Sequence, residues 1–337
     1  LRLRAVQGPT QMVTQGPGAS AFGATQTRAL SLLRKLDRPA TIVPVIYNCA
    51  LHDWARGDLA GADRRVQEIA ERNLGHPSES GRMAEHTMRG LVAWHRGETE
   101  PARENLSATV EVYDPTRHRD LYGVYLRDFG VFSQFYLALS QTVLGDLAGG
   151  ARTAEAALQL ACQVRHPHAV GFGLLANFNT ALLRGDVDVA DRFSADGLSF
   201  STKQGFPEFA AMARFCQGWV RCRRGDAARG LALMEEGAAQ WDATGFKTWQ
   251  AWFASMIAEE RVAAGDVAGA ESILDAHGRS VEESGERQFD VPLILARTRL
   301  LRARGDDRGE TLLEAARRTA SAQGAGLWSG RVEAMTA

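Results

Sequence analysis

The sequence predicts an all-α fold: a right-handed superhelical solenoid of stacked antiparallel helix pairs, with about seven 40-residue repeats behind a degenerate first unit. Three observations predict it. A short glycine turn recurs at a fixed interval along the 337 residues, small side chains keep constant offsets on both sides of that turn, and no segment alternates as a strand would.

The turn has the form Arg/Leu/Ala-Gly-Asp/Glu. Its glycines are Gly57, Gly97, Gly145, Gly185, Gly225, Gly265 and Gly305, so the intervals are 40, 48, 40, 40, 40 and 40 residues. Each glycine closes one amphipathic segment of about four helical turns and opens the next, and at such a helix end only glycine enters the left-handed region without a Cβ penalty. The acidic residue that follows is placed to cap the next helix or to sit in its first turn, where the N-terminal dipole favours an anion. A second glycine, at Gly205, Gly245 and Gly285, comes 20 residues after the turn and ends the second helix in the same way.

In chain order, residues 1–37 read as the degenerate unit, with Gly16-Pro17-Gly18 as its turn. Repeat 1 spans 38–78 and repeat 2 spans 79–124, the latter carrying the eight extra residues as an insert over 112–120. Repeats 3 to 7 follow at 125–166, 167–206, 207–246, 247–286 and 287–325, and 326–337 is a tail. Two helices of a hairpin approach closely only where side chains are small. Seven residues before the turn glycine stand Ala50, Gly90, Ala138, Phe178, Gly218, Ala258 and Thr298; five after it stand Ala62, Ala102, Gly150, Ala190, Gly230, Ala270 and Glu310. Phe178 and Glu310 are the exceptions, and a polar departure in the last repeat suits a solvent-facing cap.

Composition narrows the function. Lys and Arg total 39 against 40 Asp and Glu, for a formal charge of −1, with 45% apolar and 23% charged residues. That balance gives neither nucleic acid nor an anionic membrane much to release in counterions, so protein or small-molecule partners are favoured. The best apolar run, Thr41 to Leu51, is too short for a membrane helix and contains Asn48. Cys49, Cys162, Cys216 and Cys222 show neither a CxxC nor His at ligand spacing, which argues against zinc or a disulfide framework and for a reduced, cytoplasmic setting. His76, His166 and His168 flank Pro77 and Pro167 at helix starts, and no further ligands stand at metal spacing. The opening LRLRAVQG reads like the middle of a helix, so the chain is expected to be a piece of something longer.

The small residues around each turn and the alternating helices make a tetratricopeptide pattern, lengthened from its usual 34 residues to 40. The runs GDLAGADRRVQEIAE (57–71) and VYDPTRHRDLYGVYLRDFGV (112–131), the joints RHPHAVGFGL and QGFPEFAAMARFCQGW, and the closing GERQFDVPLILARTRLLRARGD and ETLLEAARRTASAQGA carry a further resemblance. They resemble the C-terminal tetratricopeptide region of bacterial multidomain proteins that couple a class III adenylate/guanylate cyclase domain to an AAA-like signal-transducing ATPase. The resemblance covers nearly the whole chain, and its most specific stretch is YDPxxHR. It implies a regulatory sensor or scaffold, with cyclase and nucleotide-binding domains upstream in the full-length protein. It carries no catalytic residue onto these positions. There is no GxxxxGK[ST] loop, and Lys35, Lys203 and Lys247 are the complete set of lysines, so nucleotide phosphates have no obvious holder. No cofactor is expected.

Arg-Gly-Asp occurs four times, and at repeat spacing it reads as a helix-to-helix turn rather than an adhesion motif. The insert concentrates Arg117, His118 and Arg119 beside Asp114, which offers an anion or acidic-peptide contact; the competing reading is a loop that Asp114 caps and Arg119 braces. The aromatics say more. In this kind of stacking the first helix of each pair lines the concave face, with positions three, six, ten and thirteen before the turn glycine pointing inward. These are Tyr47, Leu51 and Trp54; Leu91 and Trp94; Phe132, Phe135 and Leu139; Phe172, Leu175 and Asn179; Phe215 and Trp219; and Trp252 with Glu259. An apolar groove of this kind suits a helix or an extended peptide. The competing reading puts any one ring in the core between repeats.

The expected function is therefore a nonenzymatic protein-interaction and regulatory module. It would bind a protein or peptide segment, from a separate partner or an upstream ATPase or cyclase domain. A small-molecule effector site in the same groove is the alternative. An α/α-toroid enzyme needs convergent carboxylates, and the adjacent pair Asp306-Asp307 lies in a repeat turn without a DDxxD continuation.

Overall fold

The computed structural model describes residues 2–36 and 42–336, and among them there are eighteen α-helices and no strand. An opening pair, α1 (Arg2–Gln15) and α2 (Ser20–Leu36), turns at Gly16. The expected boundary between this unit and repeat 1, at residues 37 and 38, lies outside the described residues. Then come α3 (Ile42–Ala55) with α4 (Leu59–Gly75), and α5 (Glu79–His95) with α6 (Thr99–Val112). The end of the insert runs into a 3-10 turn at Arg119–Leu121, which the one-turn helix α7 (Tyr122–Tyr125) follows. The next pairs are α8 (Phe129–Leu144) with α9 (Leu147–Val164), α10 (Pro167–Arg184) with α11 (Val187–Gln204), and α12 (Pro207–Arg223) with α13 (Ala227–Ala243). The last two are α14 (Gln250–Ala263) with α15 (Val267–Ser284) and α16 (Asp290–Ala303) with α17 (Arg308–Ala322), followed by α18 (Gly326–Thr336).

Local chemistry sets these boundaries. All seven turn glycines have positive φ, from +71° at Gly305 to +104° at Gly145. Asp58, Asp146, Asp186 and Asp266 each accept a backbone N–H three residues on, at 2.7, 2.8, 3.2 and 2.9 Å, which satisfies one orphan donor of the helix they open. The arginine before the glycine reaches back 33 residues to the outer helix of the preceding pair: Arg96 to Asp63 at 3.2 Å, Arg224 to Asp191 at 2.6 Å and Arg304 to Glu271 at 2.5 Å. The tripeptide is a joint between repeats.

The two exceptions to the small-residue rule have separate explanations. Phe178 is buried because α11 offers Gly197 opposite it; a Cβ there would lie 3.2 Å from the Phe178 ring. Glu310 faces solvent and pairs with Arg302 at 2.7 Å, while Gly309 turns inward instead, where a Cβ would lie 3.5 Å from the Thr298 carbonyl.

The first helix of each pair is the inner one. Helix α10 is buried on all sides, whereas α11 buries only the stripe Ala190, Ser194, Gly197 and Ser201, so α10 lies between an outer layer and a central core. That core exists because the superhelix returns on itself. The Lys247 N–H donates to the Ala55 carbonyl at 2.7 Å, and the Arg287 and Gln288 N–H groups donate to the His95 carbonyl at 2.8 and 3.1 Å. Ala55 with Lys247 and His95 with Arg287 are both 192 residues apart, just under five repeats. Farther on, Gly326 packs against the Leu144 carbonyl and the Arg331 guanidinium donates to the Leu183 carbonyl. Ala55, His95, Leu144 and Leu183 sit at the C-terminal ends of α3, α5, α8 and α10, where helix carbonyls have no intrahelical partner. Loops and a helix from the second half of the chain cover those ends and supply donors at three of the four.

Candidate functional site

The return of the chain decides what happens to the inward-facing side chains. Trp54 packs edge-on against Phe246 (ring centroids 5.4 Å apart), and Trp94 packs against Trp249 (5.1 Å), Phe289 (5.5 Å) and Tyr136 (5.3 Å). Phe135 stacks parallel to Trp249, and Phe132 meets both Trp54 and Phe172. Tyr47 lies between Tyr125 and Phe129, Phe215 packs on Phe253 at 4.4 Å, and Leu51, Leu91, Leu139 and Leu175 are buried. Asn179 is buried as well, its amide donating to the Leu175 carbonyl at 3.1 Å. All of these side chains are buried. The open groove expected along repeats 1 to 4 is corrected here: it is filled by Phe246, Trp249 and Phe289, which the superhelix brings back across its own axis.

Trp249 shows how firmly this closure is held. It adopts a left-handed φ of 72°, which costs a bulky residue on the order of 1–2 kcal/mol. Its N–H donates to the buried Glu286 carboxylate at 3.1 Å, and the same carboxylate lies 2.7 Å from His95 Nδ1.

The insert is likewise tied down. Asp114 Oδ1 accepts the N–H groups of Thr116 and Arg117, both at 2.8 Å, and capping holds its carboxyl below the usual range. Arg117 donates to Glu79 at 2.9 Å, and His118 is buried with Nε2 3.2 Å from the same carboxylate. Arg119 stands exposed in the 3-10 turn. Two of the three expected contact residues thus already brace α5.

The inner face stays open at its C-terminal end. A cavity of about 340 Å³ lies among the inner helices α12, α14 and α16, the end of α10, and α18. A shallower cleft of about 510 Å³ continues from it, sharing Arg223, Glu259, Glu260 and Arg299. Three tryptophans wall the cavity: Trp219, Trp252 and Trp328, the last two with centroids 6.0 Å apart. Of the residues expected in a groove, Trp219, Trp252 and Glu259 are brought together here. Trp219, Glu259 and Arg299 are successive occupants of one position, six residues before the turn glycine, so the repeat could have signalled Arg299. Arg223, Glu260, Trp328 and Arg331 follow no such rule, and the tail gave no reason to look.

The electrostatics are compact. Glu259 pairs with Arg299, and Glu260 lies 3.8 Å from Arg223. Burial raises the Glu260 carboxyl above its ordinary value, and burial likewise holds the Arg331 guanidinium below its own. Arg331 sits over the Trp328 ring at 4.9 Å and reaches the end of α10. The site has the ingredients for recognition, namely aromatic walls with fixed charges between them.

No protein-family model and no curated protein matches the chain. Solved structures do. A Rap protein complexed with competence and sporulation factor superposes with a TM-score of 0.69 at 13% identity, covering 95% of this chain and 87% of that one. The fold is tetratricopeptide-like. RapI in its apo form matches at 0.58 and 12% identity over 81% of this chain and 97% of that one. A signal-transduction ATPase with numerous domains and a tetratricopeptide repeat sensor, from Pyrococcus horikoshii, matches at 0.50 and 13% identity over 95% of this chain and 46% of that one. At these identities the likeness is one of fold. Within this tetratricopeptide-like solenoid, no described helix is long and apolar enough to cross a membrane.

Proposed function

We propose that this chain is a nonenzymatic regulatory module that receives a peptide or helix from a partner in the cavity at its C-terminal inner face. The observation that carries this reading is the wall made by Trp219, Trp252 and Trp328 with arginine–glutamate pairs beside it, continuous with a shallower cleft of about 510 Å³. Aromatic anchors flanked by charge are where binding energy concentrates in protein interfaces. The solved Rap structure supports it by analogy, being a complex with competence and sporulation factor. The finer context is part of the same proposal: a cytoplasmic sensor that reports to a nucleotide-dependent signalling domain, an ATPase or cyclase, as a tetratricopeptide sensor accompanies an ATPase in the archaeal structure.

A small-molecule effector is the second reading, favoured by the cavity's size, which falls in the range of small-ligand sites. Peptide-array selection on the chain, followed by calorimetry, separates the two. The peptide reading expects micromolar binders that lose about tenfold in affinity with Arg223→Ala or Glu259→Ala, both accessible positions. Binders indifferent to both substitutions, or no binders at all, would count against it.

A further inference from the structure

The charges around the cavity do not cancel. Three arginines, Arg223, Arg299 and Arg331, face two glutamates. Glu259 is taken by Arg299 and Glu260 lies beside Arg223, which leaves Arg331. Among the described residues no carboxylate comes within ion-pair distance of it. Its guanidinium has the Leu183 carbonyl and the Trp328 ring, and Glu259 acts on it only through space. A largely buried guanidinium cannot shed its proton, so it gains most from an anion.

The rest of the cavity suits an apolar group: Trp219, Trp252, Met256, Leu295 and the buried Trp328 wall it. Among the described residues, a guanidinium without a carboxylate partner thus stands beside an aromatic-walled space.

We infer that this cavity binds a carboxylate carried on an apolar, preferably aromatic, group, with the Arg331 guanidinium as its donor. This rests on the proposed recognition site and names the chemistry of its ligand. The carboxylate replaces the missing counter-charge, and the ring fills the space among the tryptophans. A peptide C-terminus and a free aromatic acid both present that chemistry.

Four probes test it on the whole chain: phenylacetate, its neutral analogue phenylacetamide, and an alanine tripeptide extended by phenylalanine, as the free acid and as the C-terminal amide. Tryptophan fluorescence and calorimetry report binding. At least one acid should bind about tenfold more tightly than its amide, as a charge-assisted pair to arginine predicts. Arg331→Gln should remove that preference and Arg331→Lys should keep part of it. Circular dichroism and unfolding midpoints establish that each variant is folded. Preference for phenylacetate alone identifies a small acid, and preference for the peptide acid a chain terminus; either supports the inference. Equal binding of acid and amide, a preference that survives Arg331→Gln, or no binding by any probe overturns it. The peptide reading fails separately: peptides that bind as acid and amide alike but are lost in Arg223→Ala retain it without the carboxylate, and an acid that no array peptide displaces retains the carboxylate without it.

Discussion

His95 and Glu286, 191 residues apart in sequence, lie 2.7 Å apart in the buried centre of the molecule. His95 is the last residue of α5, and Glu286 lies in the loop between α15 and α16 that returns across it. One carboxylate thereby holds the imidazole and the strained Trp249 N–H together, and the His95 carbonyl accepts two donors from the same loop. This contact joins repeat 2 to the loop between repeats 6 and 7, and it turns a spiral into a closed body.

Removing that carboxylate should loosen the closure rather than any one repeat. Glu286→Ala strands two buried donors, at a cost of about 3 kcal/mol. Urea unfolding should show the loss, and small-angle scattering should show a larger radius of gyration. An unchanged radius with unchanged stability would mean that the contact does not hold the ring.

Trp94 and Arg223 should behave in opposite ways. Trp94 is fully enclosed by Trp249, Phe289 and Tyr136, so Trp94→Ala should cost about 3–5 kcal/mol of stability. Arg223 is exposed at the cavity mouth, and Arg223→Ala should shift stability by less than about 1 kcal/mol while weakening ligand. Thermal unfolding of the two variants side by side checks the contrast.

Helices α12 and α13 cross with their backbones in close contact. A Cβ at Gly218 would stand 2.6 Å from the Gly230 carbonyl, and one at Gly230 would stand 2.7 Å from the Gly218 carbonyl. Both clashes are with backbone, so Gly218→Ala must push the helices apart, for about 1–3 kcal/mol. The same substitution at exposed Gly330, where nothing lies within 4 Å, should be neutral or slightly stabilising. Denaturant midpoints for the pair decide it.

Glu208 gives a pH signature. Burial raises its carboxyl from the ordinary 4.5 to about 7, against the pull of Arg127. The folded chain therefore binds this proton more tightly than the unfolded chain, so the contribution to stability is whole below about pH 4.5 and is lost as pH rises to about 7. His168, 3.7 Å away, is held well below 6.5 by burial, and its contribution is instead lost as pH falls below 6.5. Glu208→Gln isolates the first effect: the variant should gain on the parent between pH 5 and pH 8, by an amount on the order of 2 kcal/mol. Parallel stability curves would refute the assignment.

The repeat architecture was legible because its signals act over short distances. A glycine at a helix end, an aspartate capping the next helix and a small residue at the crossing all concern neighbours within one 40-residue unit, and sequence order presents them together. The expectation that Tyr47, Trp54, Trp94, Phe132 and Trp219 face inward came from the same periodicity. Their fates did not. Whether an inward ring becomes core or cavity wall depends on what lies 192 residues later, and that is set by small rotations between successive repeats, summed over nearly five of them. No single repeat encodes the sum. So Trp94 meets Trp249 and is sealed, Trp219 meets no returning loop and stays beside an open cavity, and Trp328 and Arg331, in a tail without a repeat signal, complete that cavity only once the chain has closed.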